Sequence, residues 1–498
     1  MDILQLLIIL PIITIFGMIV AKKELLIKSI ALAGSSLQLI LSIIITVSYV
    51  QIRQAGVTDQ FLFQSSYIWF EPLKIYFSSG IDGISLVMIL MTALVVLAGV
   101  LVSWKINKQV KEFFFLLIVL SLSAYGFFMT TNLFVMFFFL ELAVIPKFLL
   151  IGMWGSGRKE YSSMKLALML MAGSALVFLG MIGLFYASGM QSWDIQDIAK
   201  LNIPIATQRV LYLLLFTGFG IFTAMFPFHT WAPDGHSSAP TAASMFLAGI
   251  SMKLGAYGCL RVATYLLPDA AQELSWIFII LASIAIIYGA FATMMQKDLK
   301  YMNAYSSVSH VGFIILGIAM LTKVAITGAV MQMVSHGIMT ALFFAAIGMI
   351  YDRAHTRQAN ELGGMLKQIP FIGSAFIISG LTSLGLPGFS GFVSEMTIFI
   401  GSWERTGIFY RSATILAAAS IVVTAVYILR AIGFAIWGSV TNKDFLKLKD
   451  ATWSERTATV LLVAGILLIG LAPFLFVHLI DMDTTTIYHK LISNVIVH

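Results

Sequence analysis

The sequence predicts an all-α protein that crosses a membrane many times. Hydrophobic residues make up 59% of its 498 residues and charged residues only 11%. The mean hydropathy of +0.96 therefore lies far above that of water-soluble domains. The apolar residues recur in stretches of roughly twenty, the length of helix that spans a bilayer. Four ionisable residues interrupt these stretches, and they are Glu141, Lys147, Lys253 and Glu395.

About fourteen stretches are long and apolar enough to be transmembrane helices. The first has no basic segment before it and no small-residue cleavage site, so we expect a retained span and not a signal peptide. The connection from Gln51 to Gly80 is too polar to cross, and we expect a loop with a short hairpin around Phe61 to Phe77. The spans lie near residues 3 to 21, 26 to 50, 81 to 104, 113 to 130, 132 to 154, 162 to 188, 208 to 229, 240 to 267, 273 to 295, 300 to 320, 324 to 351, 367 to 402, 409 to 438 and 456 to 480.

The basic residues predict the orientation of the chain. If both termini are extracytoplasmic, most basic residues fall in or beside the short cytoplasmic connections, as the positive-inside rule requires. The net charge of +7 then reports topology, and we expect no nucleic-acid partner. The residues on the expected cytoplasmic side are Lys22, Lys23, Lys28, Lys105, Lys108, Lys111, Arg158, Lys159, Lys165, Lys297, Lys300, Arg353, Arg357, Lys367, Lys443, Lys447, Lys449 and Arg456.

Two of the predicted spans contain helix-breaking residues. The seventh has Pro227 in TAMFPFHTW, and the twelfth has Pro387 in LGLPGFSGF. Proline removes a backbone donor, and a membrane tolerates a broken helix only where protein or water satisfies the exposed groups. Interruptions at matching places of two halves are typical of inverted-repeat transporters. The alternative is that both are simple packing kinks.

These breaks suggest how the chain is divided. They fall at the fourth helix of each of two five-helix units, which would be inverted repeats made of spans 4 to 8 and spans 9 to 13. We therefore expect an N-terminal three-helix segment with the extracytoplasmic loop, a first repeat, a second repeat, and a C-terminal loop with the last helix. Their boundaries are 1–111, 112–270, 271–440 and 441–498.

The ionisable residues inside the spans are the first clue to function. Helical rise places Glu141, Lys253, His310 and His336 about 15 to 20 Å from the ends of their spans, near the membrane midplane. Glu395 follows the break in the twelfth span. A charge at this depth costs about 3 kcal/mol even on lenient scales, so such residues usually face a polar cavity on an ion or proton path. A row of acid, base and imidazole groups suits lateral proton transfer.

Structural interpretations of the same residues remain open. A single histidine in a membrane helix is often only hydrogen-bonded to its neighbour, which applies to His310 and to His336. Lys147 lies about 10 Å from the inner interface, and its long side chain could extend there. Glu141 and Lys253 are too deep for that, so a purely structural role is less favoured for them.

Three polar residues lie at the inner boundary, in PFHTWAPDGHSSAPT. His229, His236 and Asp234 could line a proton access route, or could serve as capping and loop contacts. A metal site would need a further ligand at suitable spacing, and the sequence supplies none. A single Cys259 excludes a cysteine-bound iron-sulfur cluster, and the chain has no P-loop and no dinucleotide-binding glycine motif. Any redox chemistry would therefore belong to partner proteins, and we expect no cofactor or metal in this chain.

Several motifs identify a family resemblance. The run FPFHTWAPDGHSSAPTAASMFLAGISMKLGAYGCLRV resembles the P-x-H-x-W-x-P-D-x-H-x-x-A-P-T signature of the antiporter-like subunits of respiratory complex I and of multisubunit Na+/H+ antiporters. The segments DLKYMNAYSSVSHVGFIILG, QMVSHGIMTALFF and GLPGFSGFVSEMTIF are similar to three further blocks of that family. The resemblance covers roughly residues 80 to 440. An acid at Glu395 and the short C-terminal segment are most similar to the subunit M branch of the bacterial NADH:quinone oxidoreductase.

The resemblance implies a fold, a function and partners. A member of this family is expected to be a fourteen-helix, proton-translocating, non-redox subunit in the bacterial inner membrane. Its partners would be the other membrane-arm and peripheral-arm subunits of complex I and the lipid bilayer. FMN and iron-sulfur clusters would be held by partner subunits, and quinone would bind elsewhere in the complex. The family's site residues correspond to Glu141, Lys253, His310, His336 and Glu395 of this chain.

One position departs from the family pattern. A lysine is expected seven residues before the histidine of P-F-H, as the partner of the fifth-span glutamate, and here that place is Phe222. Lys147 and Phe222 lie about 24 and 21 Å from the outer surface, on spans that run in the same direction. We therefore hypothesise that the ionisable lysine has moved from the seventh span to the fifth. Six helical residues separate Lys147 from Glu141 by about 120°, which argues against a direct pair on a regular helix.

Three functions are compatible with these residues. The first is a proton channel of complex I, in which half-channels are joined by the row of lysines, glutamates and histidines. The second is a subunit of a multisubunit Na+/H+ antiporter, for which a lysine would be expected in place of Glu395. The third is a non-pumping scaffold, which the missing lysine at Phe222 would suggest.

Overall fold

The computed structural model describes residues 3–440 and 442–493, and most of these residues are helical. Within these ranges, 13 helices are long and apolar enough to cross a membrane. We number the crossings 1 to 14 in chain order and count Pro370–Ser383 with Ser390–Glu404 as crossing 12. The others are Ile3–Val20, Glu24–Gln54, Gly83–Lys105, Val110–Met129, Leu133–Trp154, Lys159–Ala187, Ile205–Ser238, Thr241–Thr264, Pro268–Met294, Leu299–Ala319, Lys323–Ala354, Ile408–Ile436 and Trp453–Leu471. The predicted all-α, multispanning fold is confirmed.

The crossings give the molecule two faces. Because their number is even, crossing 1 begins and crossing 14 ends on the same face, which we call the terminal face. The opposite face carries the connections after crossings 1, 3, 5 and 7, and we call it the basic face. Shorter elements between the crossings are the helices Ile195–Ile198 and Met365–Gln368 and the 3-10 turns Glu71–Leu73 and Lys443–Lys447.

A β-hairpin covers part of the terminal face. Strands β1 (Leu62–Phe70) and β2 (Ile75–Ile81) pair antiparallel, with Tyr67 opposite Phe77. The ring of Trp69 packs edge-on against Phe138 of crossing 5, with 5.4 Å between the ring centroids. The loop and short hairpin expected from the sequence are therefore present, although the strands extend a few residues beyond the predicted range.

Crossings 7 and 12 are broken where the sequence placed their helix breakers. In crossing 7 the helix Ile205–Thr223 ends at Ala224, which has a left-handed backbone, and a helix resumes at Trp231–Ser238. In crossing 12 the two helices are separated by residues 384–389, where Gly385 and Gly388 adopt φ angles of +74° and +97°. Glycine takes such angles without the steric strain that a side chain would add.

The centre of the bundle is formed by crossings 3, 8, 10 and 11. Crossings 8 and 11 are buried along their whole apolar windows, and crossing 10 over 94% of its window. In crossings 1, 2, 6, 13 and 14 at most 39% of the apolar window is buried, as expected of helices that face lipid. Lys253, His310 and His336 of the candidate site therefore lie on the most completely buried helices.

The C-terminal part differs from the prediction. The sequence predicted one last helix near 456 to 480, and this is wrong because crossing 14 ends at Leu471 and a separate helix, Pro473–Ser493, follows it. Proline lacks the backbone N–H that would continue the preceding helix. The later part of this last helix runs along the terminal face, where Lys323 at the start of crossing 11 pairs with Asp481 at 2.8 Å.

The predicted division into four parts stays a prediction. None of these elements tests the inverted-repeat relation between crossings 4 to 8 and crossings 9 to 13. The same holds for the boundaries 1–111, 112–270, 271–440 and 441–498. The C-terminal part also includes positions 441 and 494–498, which lie outside the described residues.

Candidate functional site

Crossing 8 is the axis of the candidate site, and its helix is irregular. Two π-helical segments, Leu247–Ser251 and Cys259–Thr264, flank the α-helical turns Met252–Gly258. Wide π turns inside α-helices are frequently found at functional sites. Lys253 is the second residue after the first of them. The apolar pattern of crossing 8 predicts a regular helix, because it does not distinguish a π turn from an α turn.

Lys253 is fully buried and bonded to the neighbouring crossing 11. Its Nζ donates to the carbonyl oxygen of Ala248, inside the first π segment, and to Nδ1 of His336 at 2.8 Å. A lysine that donates to Nδ1 leaves the other ring nitrogen, Nε2, to carry the imidazole proton. This Nε2 has no hydrogen-bond partner among the described residues.

The row continues from His336 to crossings 10 and 12. The rings of His336 and His310 lie 5.3 Å apart, centroid to centroid. Nδ1 of His310 lies 3.2 Å from Oε1 of Glu395 and 3.3 Å from Nε2 of Gln332, while its Nε2 lies 2.9 Å from Oγ of Ser383. Lysine, two imidazoles and a carboxylate thus form one connected line through the buried helices.

Glu395 is positioned by the break in crossing 12. It lies one and a half turns into the helix Ser390–Glu404 and is 3% exposed. A Cβ atom at Gly385 would lie 2.8 Å from Oε2 of Glu395. The carboxylate therefore lies directly against the backbone of the interruption.

Lys147 points into the protein and not towards the basic face. Its side chain is fully buried, and its Nζ donates to Oγ of Ser251 on crossing 8 at 2.7 Å. The same Nζ lies 6.0 Å from the centroid of the Phe222 ring. The alternative in which Lys147 extends to the inner interface is therefore wrong, because a buried hydroxyl on crossing 8 holds its ammonium group.

Glu141 lies beside Lys147 without an ion pair. Crossing 5 is interrupted at Ala143, between the helices Leu133–Leu142 and Val144–Trp154. The groups that act on the Glu141 carboxylate are the hydroxyl of Ser174 and the more distant ammonium of Lys147. Its Oε1 is buried without a hydrogen-bond partner among the described residues. The 120° separation expected on a regular helix agrees with the absence of a direct pair in this part of the chain.

The three inner-boundary residues have different surroundings. Asp234 pairs with Lys165 at 2.7 Å, so it is a half-buried ion-pair partner. His229 stacks on Phe226, and neither ring nitrogen of His229 or His236 has a hydrogen-bond partner among the described residues. His236 is fully buried, and Lys253 is the first of the charged groups that act on it. Among the described residues, no three histidine, cysteine, aspartate or glutamate side chains are grouped so that they could hold a metal ion.

Sequence reasoning missed several uncharged side chains of the site. Hydroxyl and amide groups connect the charged residues: Ser251 binds Lys147, Ser383 binds His310, and the hydroxyl of Ser394 donates to the side-chain amide oxygen Oε1 of Gln332. Gln332 precedes His336 by four residues and thus shares its helix face. That spacing was a usable signal, whereas serines in membrane helices are too common to indicate a site.

The family comparison agrees with these motifs. Residues 130–424 match the family model described as NADH:quinone oxidoreductase/Mrp antiporter membrane subunit. The NADH-quinone oxidoreductase subunit M of Rickettsia conorii is 33% identical over 473 residues, which is 94% of each chain. The NAD(P)H-quinone oxidoreductase chain 4-2 of a Synechocystis species is 36% identical over 382 residues, which is 76% of this chain and 68% of that protein.

Solved structures share the fold. A chain of respiratory complex I from Thermus thermophilus with bound NADH superposes with a TM-score of 0.89 at 23% identity, covering 98% of this chain and 99% of that one. A chain of an Mrp complex from a Dietzia species gives a TM-score of 0.83 at 18% identity, covering 99% and 98%.

Proposed function

Since the chain belongs to the family of NADH:quinone oxidoreductase and Mrp antiporter membrane subunits, we propose that it is a proton-translocating subunit of a bacterial NADH:quinone oxidoreductase. It would be a multi-pass, non-redox subunit of the inner membrane, with both termini extracytoplasmic. The other membrane-arm and peripheral-arm subunits of the complex would be its partners. FMN and iron-sulfur clusters would belong to those partners, and the quinone site would lie elsewhere in the complex.

The observation that carries the proposal is the buried line from Lys253 to Glu395. Four ionisable side chains from crossings 8, 10, 11 and 12 follow one another through a hydrogen bond of 2.8 Å, a ring contact of 5.3 Å and a contact of 3.2 Å. Burying this many ionisable groups costs free energy, and ionisable residues inside a membrane protein are usually functional. Imidazole accepts and donates a proton on its two nitrogens, so the two histidines suit a relay between lysine and glutamate.

Lys147 extends this line towards crossing 5. Its ammonium lies beside Phe222, where the family pattern has a lysine, and reaches crossing 8 through Ser251, two residues before Lys253. We therefore propose that Lys147 takes the role of the lysine missing from crossing 7. Its charge acts on Glu141 at a distance, and proton occupancy of the one would influence that of the other.

Proton uptake would occur from the basic face. Asp234 and Lys165 form an ion pair near that face, and His229 and His236, from the same segment, are buried with ring nitrogens that have no hydrogen-bond partner among the described residues. His236 is among the charged or titratable neighbours that act on His336. Buried polar groups of this kind are commonly satisfied by ordered water, which would complete the route to the row.

The proposal is tested by moving the lysine. Lys147→Met in the assembled complex is expected to abolish proton pumping in proteoliposomes while NADH is still oxidised. Lys147→Met combined with Phe222→Lys is expected to recover part of it, since the second lysine restores a charge at the same depth. Lys323→Met, at the terminal face, is the matched control. Normal pumping by the single Lys147→Met variant would overturn the role of this residue.

The two alternative functions are separated by other measurements. Flavin, iron-sulfur clusters and NADH oxidation in the purified assembly are expected for complex I, whereas a Na+/H+ antiporter would contain none of them. A non-pumping scaffold would leave the proton-to-electron stoichiometry of a Glu141→Gln variant unchanged. We expect that stoichiometry to fall.

A further inference from the structure

A cavity lies at the basic face, where crossings 9 and 13 end and crossing 10 begins. Its volume is about 200 Å³, which is room for several water molecules. Tyr427 of crossing 13 lines the cavity and is only 1% exposed. Exposed polar side chains of the basic face line it too, and they are Lys297, Asn360 and Arg430. Water at the basic face therefore has access to a tyrosine inside the bundle.

Tyr427 begins a chain of buried hydroxyl groups that ends at the row. Its hydroxyl lies 2.9 Å from Oγ of Ser306 on crossing 10. Oγ of Ser306 lies 3.4 Å from Oγ of Ser383, which in turn lies 2.9 Å from Nε2 of His310. Ser306, Ser383 and His310 are 2%, 1% and 2% exposed. Three consecutive contacts thus connect a side chain of the cavity to an imidazole of the row.

The helices place these groups in order of depth. Tyr427 lies nine residues before the end of crossing 13 and Ser306 seven residues after the start of crossing 10, so both are about 10 to 14 Å from the basic face. His310 follows Ser306 by four residues, on the same side of the helix and about 6 Å deeper. Ser383 is the last helical residue before the break in crossing 12. The chain therefore runs inward from the basic face, and the break places its last hydroxyl beside the row.

His310 is arranged to accept a proton at the end of this chain. Its Nδ1 lies 3.2 Å from Oε1 of Glu395, and an ionised Glu395 keeps the ring proton on Nδ1. Nε2 is then the unprotonated nitrogen, and it faces the hydroxyl of Ser383. A serine hydroxyl both donates and accepts, so Ser383 can donate to Nε2 while it accepts from Ser306. The carboxylate of Glu395 also stabilises the imidazolium that results.

We propose that Tyr427, Ser306 and Ser383 form a second proton uptake route, which joins water in this cavity to His310. The inference rests on the proposed proton-translocating function. A water molecule in the cavity gives a proton to the hydroxyl of Tyr427, which passes its own to Ser306. Ser306 and Ser383 each pass one proton on in the same way, and Nε2 of His310 takes up the last. The three hydroxyls stay neutral, His310 becomes an imidazolium, and a proton from water of the basic face neutralises the hydroxide left in the cavity.

This route differs from the one beside Asp234. There, the ring nitrogens of His229 and His236 have no hydrogen-bond partner among the described residues, so water has to fill every gap. Here the protein itself supplies each contact between the cavity and His310. The two routes also enter the row at different places, since His236 acts on His336. Loss of the second route should therefore lower pumping without abolishing it.

The test is Tyr427→Phe in the assembled complex, reconstituted in proteoliposomes. Phenylalanine keeps the ring and removes only the hydroxyl. We expect NADH oxidation to continue and the proton-to-electron ratio to fall at least two-fold. Tyr125→Phe is the matched control and should pump normally, because Tyr125 is also buried and its hydroxyl has no hydrogen-bond partner among the described residues.

A double variant separates a relay from a purely structural contact. Tyr427→Phe and Ser306→Ala interrupt the same route, so the two changes together should lower the proton-to-electron ratio no further than Tyr427→Phe alone. Changes that share one pathway are not additive, whereas two independent losses would add. A double variant that pumps clearly less than either single variant would overturn the route.

The outcomes are distinguishable. A wild-type stoichiometry in Tyr427→Phe would overturn the uptake route, as would a loss of pumping that only follows a loss of assembled complex. If Tyr427→Phe does not assemble, Ser306→Ala interrupts the chain with a smaller change, and normal pumping by it overturns the proposal. Pumping lowered by Lys147→Met but not by Tyr427→Phe defeats the uptake route alone. Pumping untouched by Lys147→Met is evidence against the proposed function itself.

Discussion

Crossings 4 to 8 and crossings 9 to 13 hold their buried charges in different ways. In the second group, His310 touches Glu395 directly at 3.2 Å and Ser383 at 2.9 Å. In the first group, Lys147 has no acidic side chain at contact distance and binds the neutral hydroxyl of Ser251. The second group therefore compensates charge within a compact network, and the first relies on a single hydroxyl that belongs to the neighbouring helix. This contrast suggests that the first group is the easier one to disturb by a small change.

Lys253, on crossing 8 of the first group, contacts His336 of the second group, and its replacement gives the largest expected effect. Lys253→Met removes the donor to His336 and leaves the line of side chains without its central base. We expect proton pumping by the assembled complex to fall at least ten-fold, which corresponds to about 1.4 kcal/mol or more in the barrier. The measurement is the proton-to-electron ratio in proteoliposomes. Pumping within two-fold of wild type would mean that the two groups work independently.

The network of the second group is tested by neutralising its acid. Glu395→Gln keeps the shape of the side chain and removes the charge opposite Nδ1 of His310. We expect pumping to fall several-fold, because a hydrogen bond to a charged group contributes about 1.5 to 3 kcal/mol. Glu404→Gln, at the end of the same helix, is a suitable control. An unchanged stoichiometry in Glu395→Gln would remove the acid from the row.

The single hydroxyl of the first group gives a smaller effect. Ser251→Ala leaves the ammonium of Lys147 without its only hydrogen-bond acceptor among the described residues. We expect pumping to fall two- to five-fold. In the double variant, Ser251→Ala should lower pumping little beyond the level of Lys147→Met alone. Ser283→Ala removes a hydroxyl that binds only a carbonyl of its own helix, and it should pump normally. Equal behaviour of the two serine variants would contradict the bridging role of Ser251.

Two glycines of crossing 12 give the smallest effects and a matched comparison. Both Gly385→Ala and Gly388→Ala place a side chain on a left-handed backbone and should destabilise the folded protein by about 1 to 2 kcal/mol. A Cβ at Gly388 meets nothing within 4 Å, whereas one at Gly385 presses on Glu395. We therefore expect both variants to lower the thermal midpoint of the complex and only Gly385→Ala to lower pumping. A pumping defect in Gly388→Ala would mean that the backbone conformation of the break, and not the contact with Glu395, is what pumping requires.

Much of the fold follows from sequence because the membrane restricts the possible structures. A bilayer allows helices of known length, so hydropathy located the crossings, and Pro227 and Pro387 located the breaks. The predicted end of the last crossing was wrong because the residues directly after Pro473 are apolar, so the mean hydropathy of the span does not fall there. The proline itself was the stronger signal.

The candidate site was only partly predictable. Ionisable residues in apolar stretches are rare, so Lys253 and Glu395 were visible from the sequence alone. The direction of Lys147 was not, because it depends on the interruption at Ala143 and on a serine of another helix. The buried ion pair of Arg261 with Asp82 was also missed, because its two members lie 179 positions apart in the sequence.

The π segment Leu247–Ser251 has a consequence for the tolerance of crossing 8 to insertions and deletions. A π turn holds one residue more than an α turn, and each residue rotates a helix by about 100°. Deleting any one of these five residues would let the π turn close to an α turn, which absorbs the missing residue, so Lys253 would keep facing His336. Deleting a residue from the regular α-helical turns Met252–Gly258 would instead rotate Arg261 by about 100° relative to Lys253. The π segment is therefore the part of crossing 8 that tolerates a change in length.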